Sequence, residues 1–535
     1  MTEFAIKNGI IIDGTGTAPY RADIRVKDGK IAEISEDLGN VSCDAVDAVG
    51  RYVTPGFIDI HRHGDAAVLK DDFGKIELSQ GITTMINGQC GLSITPAAGT
   101  HRKEIFRFLE PVIGELREDL PFDTTASYLN VLEKKDLRLN VGYCVGNGTL
   151  RMNAAGFDGG ALSDAEYRSI HENLEEALSC GALGVTMGIV YSPENCYDHD
   201  GFVRALAPMK KYRVPLTAHI RGYGDLLIPS VKEIIRIAEE LGVPLHISHM
   251  MAVGRRNWNK SIWEAFRLMD EARERGLSVS CDVYPYTAGS SQLIQILPPW
   301  YQEGGVDEIV RRLSDRSARE ELKKILSEPQ TKFENLVYAS GWDALLITTV
   351  GSEKNRDLVG KTVAEIAAEQ GKTPEDAAFD LLIEERCNVT MVIFITCEED
   401  ILRILKYPYS NLISDSVYPK SGLPHPRLYG AFPKLLCDHV RDGKRIPLEE
   451  AVRKMTGIPA SIYRIGRKGL IKEGYDADLN IFDLLEIASP AGYTDPFRFG
   501  EGMYRVFVNG KTAYSEQDVT EEKAGRLVRR FDGDV

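Results

Sequence analysis

The sequence predicts an α/β protein: a (β/α)8 TIM-type barrel that carries a small β-sandwich domain and one insertion. Three observations support this prediction. Eight short apolar runs alternate with helical stretches, strand-like segments with glycine turns lie at both ends of the chain, and about 130 residues separate the seventh apolar run from the eighth. At 535 residues, the chain is long enough for one large domain with accessory parts.

The two ends of the chain are predicted to form one small β-sandwich domain from residues 1–54 and 468–535. Strand-like runs occur at residues 4–6, 10–12, 24–26 and 31–34, and again at residues 477–482 and 505–508. Asp28-Gly29 and Asn509-Gly510 are typical hairpin turns. Because the two ends share this pattern, we expect them to pack together.

The segment between the two ends, residues 55–467, is predicted to form the barrel. Each apolar run is short and rich in apolar or β-branched residues, as parallel strands buried on both faces should be. The runs are residues 56–60, 83–86, 139–144, 183–187, 215–218, 244–248, 277–282 and 411–414. The long gap before the last run predicts an insertion at about residues 285–405, which includes a strand-like run at 389–395 outside the eightfold count.

Composition and charge argue against several classes of protein. Hydrophobic residues make up 43% of the chain, charged residues 27%, and no apolar run approaches the roughly 18 residues of a membrane span. A net charge of −15 argues against nucleic-acid binding, which requires clustered lysine and arginine. The N-terminus lacks a secretory pattern, which predicts a cytoplasmic protein. Nine cysteines without a Cys-x-x-Cys pair predict no disulfide framework, and nothing indicates the oligomeric state.

The first apolar run ends in a His-x-His pair. In an extended strand, His61 and His63 point to one face and Arg62 to the other, so two imidazoles converge. Two surface histidines would give the same spacing. The position at the end of a barrel strand, followed by Gly64, favours a metal site, because active sites of such barrels lie at these strand ends.

Four further residues at strand ends are candidate metal ligands: Cys90, His219, His249 and Asp415. His246 points to the face opposite His249 and is predicted to be structural. Asp415 can bind a metal and carry a proton, or it can be an ordinary turn residue. Cys90 can be a packing residue, although a thiolate beside imidazoles favours zinc. The histidines outside these strands are expected in surface or helix positions: His101, His171 and His199.

Together these residues resemble the amidohydrolase superfamily, whose members have a (β/α)8 barrel. The superfamily has a His-x-His on the first strand, single histidines on the fifth and sixth, and an aspartate on the eighth. The matching residues here are His61, His63, His219, His249 and Asp415. The flanking segments Val53-Thr-Pro-Gly-Phe-Ile-Asp59 and Gly474-Tyr-Asp-Ala-Asp-Leu479 also match, and the resemblance covers nearly the whole chain.

Within the superfamily, the sequence is most similar to the N-acyl-D-amino-acid deacylases, also called D-aminoacylases. The similar segments are Asn87-Gly-Gln-Cys-Gly-Leu-Ser93, Tyr284-Pro-Tyr-Thr-Ala-Gly-Ser290, His425-Pro-Arg427 with Tyr429-Gly430, and Met455-Thr-Gly-Ile-Pro-Ala460. In that family, a second-strand cysteine and the two single histidines hold a tightly bound zinc. The resemblance therefore implies zinc at Cys90, His219 and His249, with His61, His63 and Asp415 at a second, weaker metal position; one bound metal and two are both compatible with this pattern.

The resemblance also implies the reaction: hydrolysis of the amide bond of a small-molecule N-acyl-D-amino acid. Metal-bound hydroxide would attack the acyl carbonyl, and Asp415 would pass the proton to the leaving amine. Tyr191, Ser290 and Arg427 would contact the substrate, the arginine by gripping a carboxylate with its planar guanidinium.

One position departs from the family pattern. Family members commonly have a lysine two residues after the sixth-strand histidine, where it binds the substrate carboxylate, and Met251 occupies that position here. Either a nearby arginine compensates (Arg221, Arg255 or Arg256), or the substrate lacks a free α-carboxylate. This departure concerns the substrate and leaves the predicted hydrolase chemistry unchanged.

Two alternative functions are compatible with a barrel of this kind. Hydantoinases and dihydropyrimidinases open cyclic amides, but they typically use a bridging lysine, and the fourth run, residues 183–187, contains none. Some amidohydrolase relatives serve as non-enzymatic assembly proteins. Such proteins are expected to lose metal ligands, whereas this sequence keeps all six candidates.

Overall fold

The computed structural model describes residues 3–116, 119–419, 422–515 and 517–530, whose strands form terminal, central and inserted groups. The N-terminal strands are β1 (Glu3–Ile11), β2 (Tyr20–Lys27), β3 (Lys30–Ser35), β4 (Asp44–Asp47) and β5 (Tyr52–Pro55). The central strands begin with β6 (Phe57–Asp59), β7 (Ile82–Asn87), β8 (Asn140–Tyr143), β9 (Val145–Gly146), β10 (Val185–Gly188), β11 (Leu216–His219), β12 (Leu245–Ile247) and β13 (Val279–Val283). The inserted strands and the last central strand follow as β14 (Ala288–Gln292), β15 (Leu345–Val350), β16 (Val389–Phe394) and β17 (Ser410–Leu412). The C-terminal strands are β18 (Leu479–Phe482), β19 (Met503–Val508), β20 (Lys511–Ser515), β21 (Asp518–Val519) and β22 (Leu527–Val528).

Helices alternate with the central strands and fill the insertion. Those between β6 and β13 are α1 (Lys75–Ser79), α2 (Arg102–Ile113), α3 (Thr125–Lys134), α4 (Asn147–Ala155), α5 (Asp164–Ser179), α6 (His199–Ala205), α7 (Met209–Tyr212), α8 (Leu227–Leu241) and α9 (Ser261–Glu274). Those between β14 and β17 are α10 (Pro299–Gln302), α11 (Gly305–Ser314), α12 (Arg316–Leu326), α13 (Leu336–Ser340), α14 (Val363–Gln370), α15 (Pro374–Glu384) and α16 (Glu398–Lys406). After β17 come α17 (Arg427–Lys434), α18 (Leu448–Met455) and α19 (Gly457–Ile462). In the described ranges, no helix combines the length and apolar composition of a membrane span.

Local sequence explains where the longer helices begin and end. Ser163 precedes α5 and accepts a hydrogen bond from the backbone N–H of Glu166, whose carboxylate accepts one from Ser163 N at 2.6 Å. This capping box satisfies two backbone donors at the helix start. Helix α8 ends at Gly242, whose φ of 66° lies in the left-handed region that favours glycine.

The two ends of the chain share one nine-stranded sheet. Its strand order is β21-β20-β19-β18-β5-β1-β2-β3, with β4 paired to β1, and the two ends meet where β5 runs antiparallel to β18. The sheet encloses its own apolar core, which includes Ile6, Ile24, Val53, Leu479 and Phe507. Strand β22 instead pairs with β8, so the last described residues leave this sheet. The two-layer sandwich and its boundaries stay predictions.

The central strands pair in parallel, and all eight predicted apolar runs overlap them. One set has the order β6-β7-β8 and the other β9-β10-β11-β12-β13-β17, and β8 and β9 are nearly continuous along the chain. Backbone hydrogen bonds also connect the residues after β17 with those after β6, from Asp415 N to His61 O (3.0 Å) and from His63 N to Ser416 O (2.9 Å). Parallel pairing thus brings the carboxyl ends of the central strands to one side.

Hydrogen bonds of Asp59 connect the first central strand to the last. Its carboxylate is fully buried and accepts hydrogen bonds from Ser414 N (3.2 Å), from the Ser414 hydroxyl and from Arg62 Nη1 (3.1 Å). Arg62 also donates to Glu77 Oε1 at 2.8 Å, on the side of the strand away from the neighbouring histidines, as strand alternation predicts. The strand end that carries His61 and His63 is therefore held beside the one that carries Asp415.

The insertion contains a separate three-stranded antiparallel sheet of order β14-β16-β15. Its middle strand, β16, is the run at residues 389–395 that the eightfold count does not accommodate. Residues of β14 and β16, including Ser290, Thr390 and Ile393, form part of the wall of the pocket above the central strands. The insertion therefore contributes directly to the candidate active site.

Candidate active site

All six predicted metal ligands converge at the carboxyl ends of the central strands. His61 and His63 follow β6, Cys90 follows β7, His219 ends β11, His249 follows β12 and Asp415 follows β17. Their ligand atoms form two groups, and within each group these atoms lie within 4.8 Å of one another: His61, His63, Cys90 and Asp415 in the first, Cys90, His219 and His249 in the second. Only Cys90 belongs to both groups.

The first group is held by close contacts around one carboxylate oxygen. Asp415 Oδ1 lies 3.3 Å from His61 Nε2 and 3.2 Å from His63 Nε2. His61 Nε2 also lies 3.2 Å from Cys90 Sγ. The strand alternation predicted for the His-x-His pair thus brings both imidazoles to the same point.

The second group shares the cysteine. Cys90 Sγ lies 3.5 Å from His249 Nε2, and the rings of His219 and His249 have centroids 4.5 Å apart. The two groups contain the same side chains as the two predicted ligand sets, with one difference. Cys90 also reaches the first group, so a thiolate is placed to contact cations at both positions.

The protonation states of His219 and His249 suit metal binding. Burial lowers the pKa of His249 to about 4 and, together with the nearby His249, lowers the pKa of His219 well below its ordinary value. Both imidazoles are therefore neutral at neutral pH, the form that offers a nitrogen lone pair to a metal. Burial raises the pKa of the Cys90 thiol, and a bound cation would favour its thiolate.

Asp415 is an ionised carboxylate despite being buried. Burial alone would raise its pKa, but Arg427, whose Nη1 lies 2.9 Å from Asp415 Oδ2, together with His61 and His63 holds that pKa well below the ordinary value. One oxygen of the carboxylate faces the histidines and the other faces the arginine. Asp415 is therefore in the ionised form that a proton acceptor needs, and Arg427 holds it in place.

Three of the six candidate ligands have unusual backbone conformations. Cys90, His249 and Asp415 have φ values of 55°, 31° and 51°, in the region that non-glycine residues rarely adopt. Such strain persists only where surrounding contacts enforce it, and it is concentrated at functional sites. Gly91 helps to place Cys90, since a Cβ at that position would lie 2.6 Å from Gly188 N on β10. The backbone conformation at these positions directs the side chains of Cys90, His249 and Asp415 towards the candidate metal site.

Asp282, at the end of β13, is a residue that sequence reasoning missed. It is fully buried, accepts a hydrogen bond from His249 N, and lies 3.5 Å from His61 Nδ1. Its Oδ2 also contacts His246 Nε2 at 2.8 Å, and His246 Nδ1 contacts Ser280 Oγ at 2.8 Å. Asp282 thus contacts one residue of each metal group, and carboxylates behind metal-binding histidines commonly orient them. The available signal was a carboxylate at the end of a predicted central strand.

Replacing Asp282 with asparagine is expected to weaken metal binding by about 10- to 100-fold, because Asp282 positions His61 and His249. Chelator competition would give the metal affinity, and thermal unfolding of the metal-free protein would be measured in parallel. Ser280→Ala, one contact farther out, is the control and is expected to change affinity little. A lower melting temperature with unchanged metal affinity would reduce Asp282 to a purely structural residue.

The three predicted substrate residues line one pocket above these ligands. This pocket includes Tyr191, Ser290 and Arg427 in its wall, and its lining is largely apolar. The Tyr191 hydroxyl lies 3.5 Å from His219 Nδ1. Ser290 reaches the pocket from β14 in the insertion.

Arg427 is buried and held from two sides. Its guanidinium carbon lies 4.6 Å from the ring centroid of Tyr284. Its backbone N–H donates to His425 Nδ1 at 3.0 Å, and His425 Nε2 donates to Ala288 O at 3.0 Å. His425 therefore links the start of α17 to β14 and fixes the position from which Arg427 enters the pocket.

The remaining predicted non-ligand histidines lie elsewhere. His171 contacts Arg204 O at 2.7 Å, and His199 contacts the Glu240 carboxylate at 2.9 Å, both near the surface. His246 does not enter either ligand group, as predicted, but reaches the site indirectly through Asp282.

Comparison with known proteins agrees with this geometry. A family model described as "Amidohydrolase family" matches residues 360–514. The D-aminoacylase of Alcaligenes xylosoxydans xylosoxydans is 30% identical over 528 residues, which cover 99% of this chain and 98% of that protein. The chain belongs to the D-aminoacylase family of amidohydrolases.

Solved structures support the same family at the level of the fold. The N-acyl-D-glutamate deacylase of Bordetella bronchiseptica, crystallised with zinc and a phosphonate that mimics the tetrahedral intermediate, gives a TM-score of 0.83 at 29% identity and covers 98% of this chain and 99% of that one. The L-hydantoinase of Arthrobacter aurescens gives 0.56 at 17% identity, covering 99% of this chain and 100% of that one, which shows a shared fold alone. For this D-aminoacylase family member, a donor set of imidazoles, one thiol and one carboxylate fits a zinc-type ion.

Proposed function

We propose that this chain is a metal-dependent deacylase that cleaves the amide bond of N-acyl-D-amino acids to a carboxylate and a free D-amino acid. The observation that carries the proposal is the convergence of six donor groups, with Cys90 common to both sets, beneath a pocket that contains a buried arginine. The names of the similar proteins supply the substrate class. The candidate metal ligands and the pocket residues of this chain support the hydrolytic reaction.

Cys90, His219 and His249 would hold one zinc ion, and His61, His63 and Asp415 would contribute a second position. A bound zinc ion polarises a carbonyl and lowers the pKa of water. Asp415 is ionised and faces the metal groups, so it would take a proton from the attacking water and deliver it to the leaving amine. Arg427 would keep the carboxylate oriented during both transfers.

The pocket wall offers several polar groups for the substrate. Arg427 Nε is buried and has no hydrogen-bond partner among the described residues, so it can donate to a substrate carboxylate. Tyr191 and Ser290 provide hydroxyl groups in the same pocket wall. These three residues would fix the acyl carbonyl over the metal ligands.

The architecture that would support this site is a (β/α)8 barrel at residues 55–467. Its support is the parallel pairing from β6 to β17 and the backbone bonds that connect the end of β17 back to the end of β6. The terminal segments, residues 1–54 and 468–535, would form the small β domain. The insertion at about 285–405 would cover the carboxyl ends of the strands, where such barrels carry their active sites.

Cyclic amide hydrolysis receives less support than deacylation. The bridging lysine typical of hydantoinases has no counterpart on β10, whose residues are Val185–Gly188. A non-enzymatic role is opposed by the retention of all six donors in one place.

The proposed function can be tested with purified protein. Metal analysis is expected to find zinc, and liquid chromatography is expected to detect free D-amino acids from N-acetyl-D-amino acids, with little product from their L forms. Hydantoin and dihydrouracil serve as comparison substrates. Cleavage of only the cyclic compounds would replace the proposal with cyclic amide hydrolysis, and absence of both metal and activity after zinc addition would favour an assembly protein.

A further inference from the structure

We infer that Asp65 is a positioning residue for the candidate metal ligand Cys90 and acts through the backbone of residues 88–94, the Cys90 loop. The inference rests on the proposed function, because it concerns the metal centre of the deacylase. It assigns a role to a buried carboxylate that belongs to neither ligand group and does not line the pocket.

Asp65 is fully buried and lies two residues after His63. Among the described residues, no lysine or arginine pairs with its carboxylate, whose hydrogen bonds come from backbone N–H groups. The Tyr128 hydroxyl donates to the Asp65 backbone carbonyl at 2.8 Å and so connects Asp65 to α3. A buried carboxylate is costly unless its oxygens have hydrogen-bond donors. The position of Asp65 therefore depends on the backbone groups that its side chain contacts.

The Asp65 carboxylate connects the two ends of the Cys90 loop. Its Oδ2 accepts a hydrogen bond from Gly88 N at 3.4 Å, and its Oδ1 accepts one from Ile94 N at 3.3 Å. Cys90 lies between these two positions with a φ of 55°, which a non-glycine residue rarely adopts. An unfavourable conformation of this kind persists only where surrounding contacts enforce it. The two hydrogen bonds to Asp65 are contacts that can do so.

A reciprocal hydrogen bond joins the same two segments of the chain. The side-chain oxygen of Asn87, at the end of β7, accepts from Gly64 N at 3.0 Å. Asp65 directly follows Gly64, and Gly88, which donates to Asp65, directly follows Asn87. Each segment thus provides one side-chain acceptor for the backbone of the other. The pair fixes the segment after β6 relative to the Cys90 loop.

The middle of the loop is held by a different strand. Thr186, on β10, accepts a hydrogen bond from Gly91 N at 3.0 Å and donates one to Gly88 O at 2.6 Å. The loop therefore keeps a second anchor when the Asp65 contacts are removed. We expect a displacement of Cys90 rather than an unfolded loop.

A small displacement of Cys90 matters because metal–ligand distances are narrow. Zinc–sulfur bonds are about 2.3 Å and zinc–nitrogen bonds about 2.0–2.1 Å. Cys90 belongs to both ligand groups, so a shift of its sulfur changes the spacing to the histidines of each group. Groups that orient a metal ligand typically change metal affinity by about 10- to 100-fold. Asp65 is therefore expected to control zinc affinity and the cysteine–metal bond.

The test measures the zinc affinity of Asp65→Asn by chelator competition, together with the absorption spectrum of the cobalt-loaded full chain. The thiolate-to-cobalt charge-transfer band reports the bond between Cys90 and the metal. Asparagine keeps the size of the side chain but offers one oxygen instead of two, so one loop N–H loses its acceptor. We expect zinc affinity to fall by about tenfold or more and the band to weaken. Unchanged affinity and an unchanged band in the folded variant would overturn the inference.

The unmodified protein distinguishes this inference from the proposed function. If the unmodified chain binds neither zinc nor cobalt, the proposed metal-dependent function fails, and the inference about Asp65 fails with it. If the unmodified chain binds metal and hydrolyses N-acyl-D-amino acids while Asp65→Asn behaves identically, only the inference fails.

Asp23→Asn is the matched control. Asp23 is 3% exposed, and its two carboxylate oxygens accept backbone hydrogen bonds from Asn8 N at 2.8 Å and Leu38 N at 3.0 Å. It also pairs with Lys7 at 2.5 Å, but it lies in β2 of the terminal sheet, outside both ligand groups. This variant is expected to keep the zinc affinity and the cobalt spectrum. Equal losses of zinc affinity in Asp23→Asn and Asp65→Asn would assign the effect to general destabilisation and contradict the inference.

Asn87→Leu tests the reciprocal bond without changing a charge, and it also serves if Asp65→Asn does not fold. Leucine is similar in size to asparagine but cannot accept the hydrogen bond from Gly64 N. Zinc affinity is again expected to fall by about tenfold, with a weaker charge-transfer band. Normal zinc affinity in a folded Asn87→Leu protein would show that the two segments keep their spacing without this bond, which contradicts the inference.

Discussion

Replacing Cys90 with serine is expected to reduce kcat/KM by about 10³-fold or more and to lower the zinc content of the purified protein. Cys90 is the only residue common to both ligand groups, with its Sγ at 3.2 Å from His61 Nε2 and 3.5 Å from His249 Nε2. Serine has nearly the same shape but lacks a thiolate, the soft donor that zinc prefers. The loss would therefore arise from the donor atom rather than from packing.

Elemental analysis and steady-state kinetics at defined free zinc concentrations would measure these effects. Cys437→Ala is the matched control, because Cys437 is also a buried free cysteine but belongs to neither ligand group. The control is expected to keep its zinc and its activity. Full zinc occupancy and near-normal kcat/KM in Cys90→Ser would show that the thiol is a packing residue.

Replacing Asp415 with asparagine is expected to lower kcat by about 10³-fold, within the range contributed by a positioned acid–base group. The carboxylate is ionised, lies 3.2 Å from His63 Nε2 and is held by Arg427. Asparagine keeps the size of the side chain but cannot accept and redeliver a proton. Zinc held by Cys90, His219 and His249 is expected to remain, which distinguishes this variant from Cys90→Ser.

Zinc analysis, kcat and KM would be measured together for Asp415→Asn. Asp438→Asn, at a side chain that is 42% exposed and outside both ligand groups, is the control and is expected to behave as the unmodified protein. Loss of all bound zinc would assign Asp415 a mainly structural part in metal binding. Retention of normal kcat would remove it from the proton-transfer step.

Most of the central architecture could be predicted from local patterns. Short apolar runs bounded by turns predict buried parallel strands, and all eight coincide with central strands of the structure. Alternation within a strand also predicts that His61 and His63 share one face and that Arg62 points away, as the contacts of Arg62 with Asp59 and Glu77 show. The run at residues 389–395 was recognised as a strand, but its place in an antiparallel inserted sheet was not, because local pattern does not specify which strands pair.

To predict the candidate site, the resemblance to D-aminoacylases was needed in addition to the strand pattern. Asp415 and Cys90 each have an ordinary structural interpretation when considered alone. Only the resemblance to D-aminoacylases made both of them candidate metal ligands. The structure places both beside the four histidines and brings Tyr191, Ser290 and Arg427 to the same pocket. Their roles in metal and substrate binding stay predictions that the experiments above would test.

The amino-acid sequence by itself indicates which residues end each central strand and which face of the strand each side chain occupies. This is possible because strand periodicity is a local property of the backbone. Contacts between strands distant in sequence are set by tertiary structure. Strand order and register bring Asp282 to His61 and His249, and the insertion brings the apolar residues of β16 to the pocket that the candidate metal ligands line. The candidate metal ligands could therefore be named from the sequence, whereas the contact of Asp282 with two of them and the composition of the pocket wall depended on the folded chain.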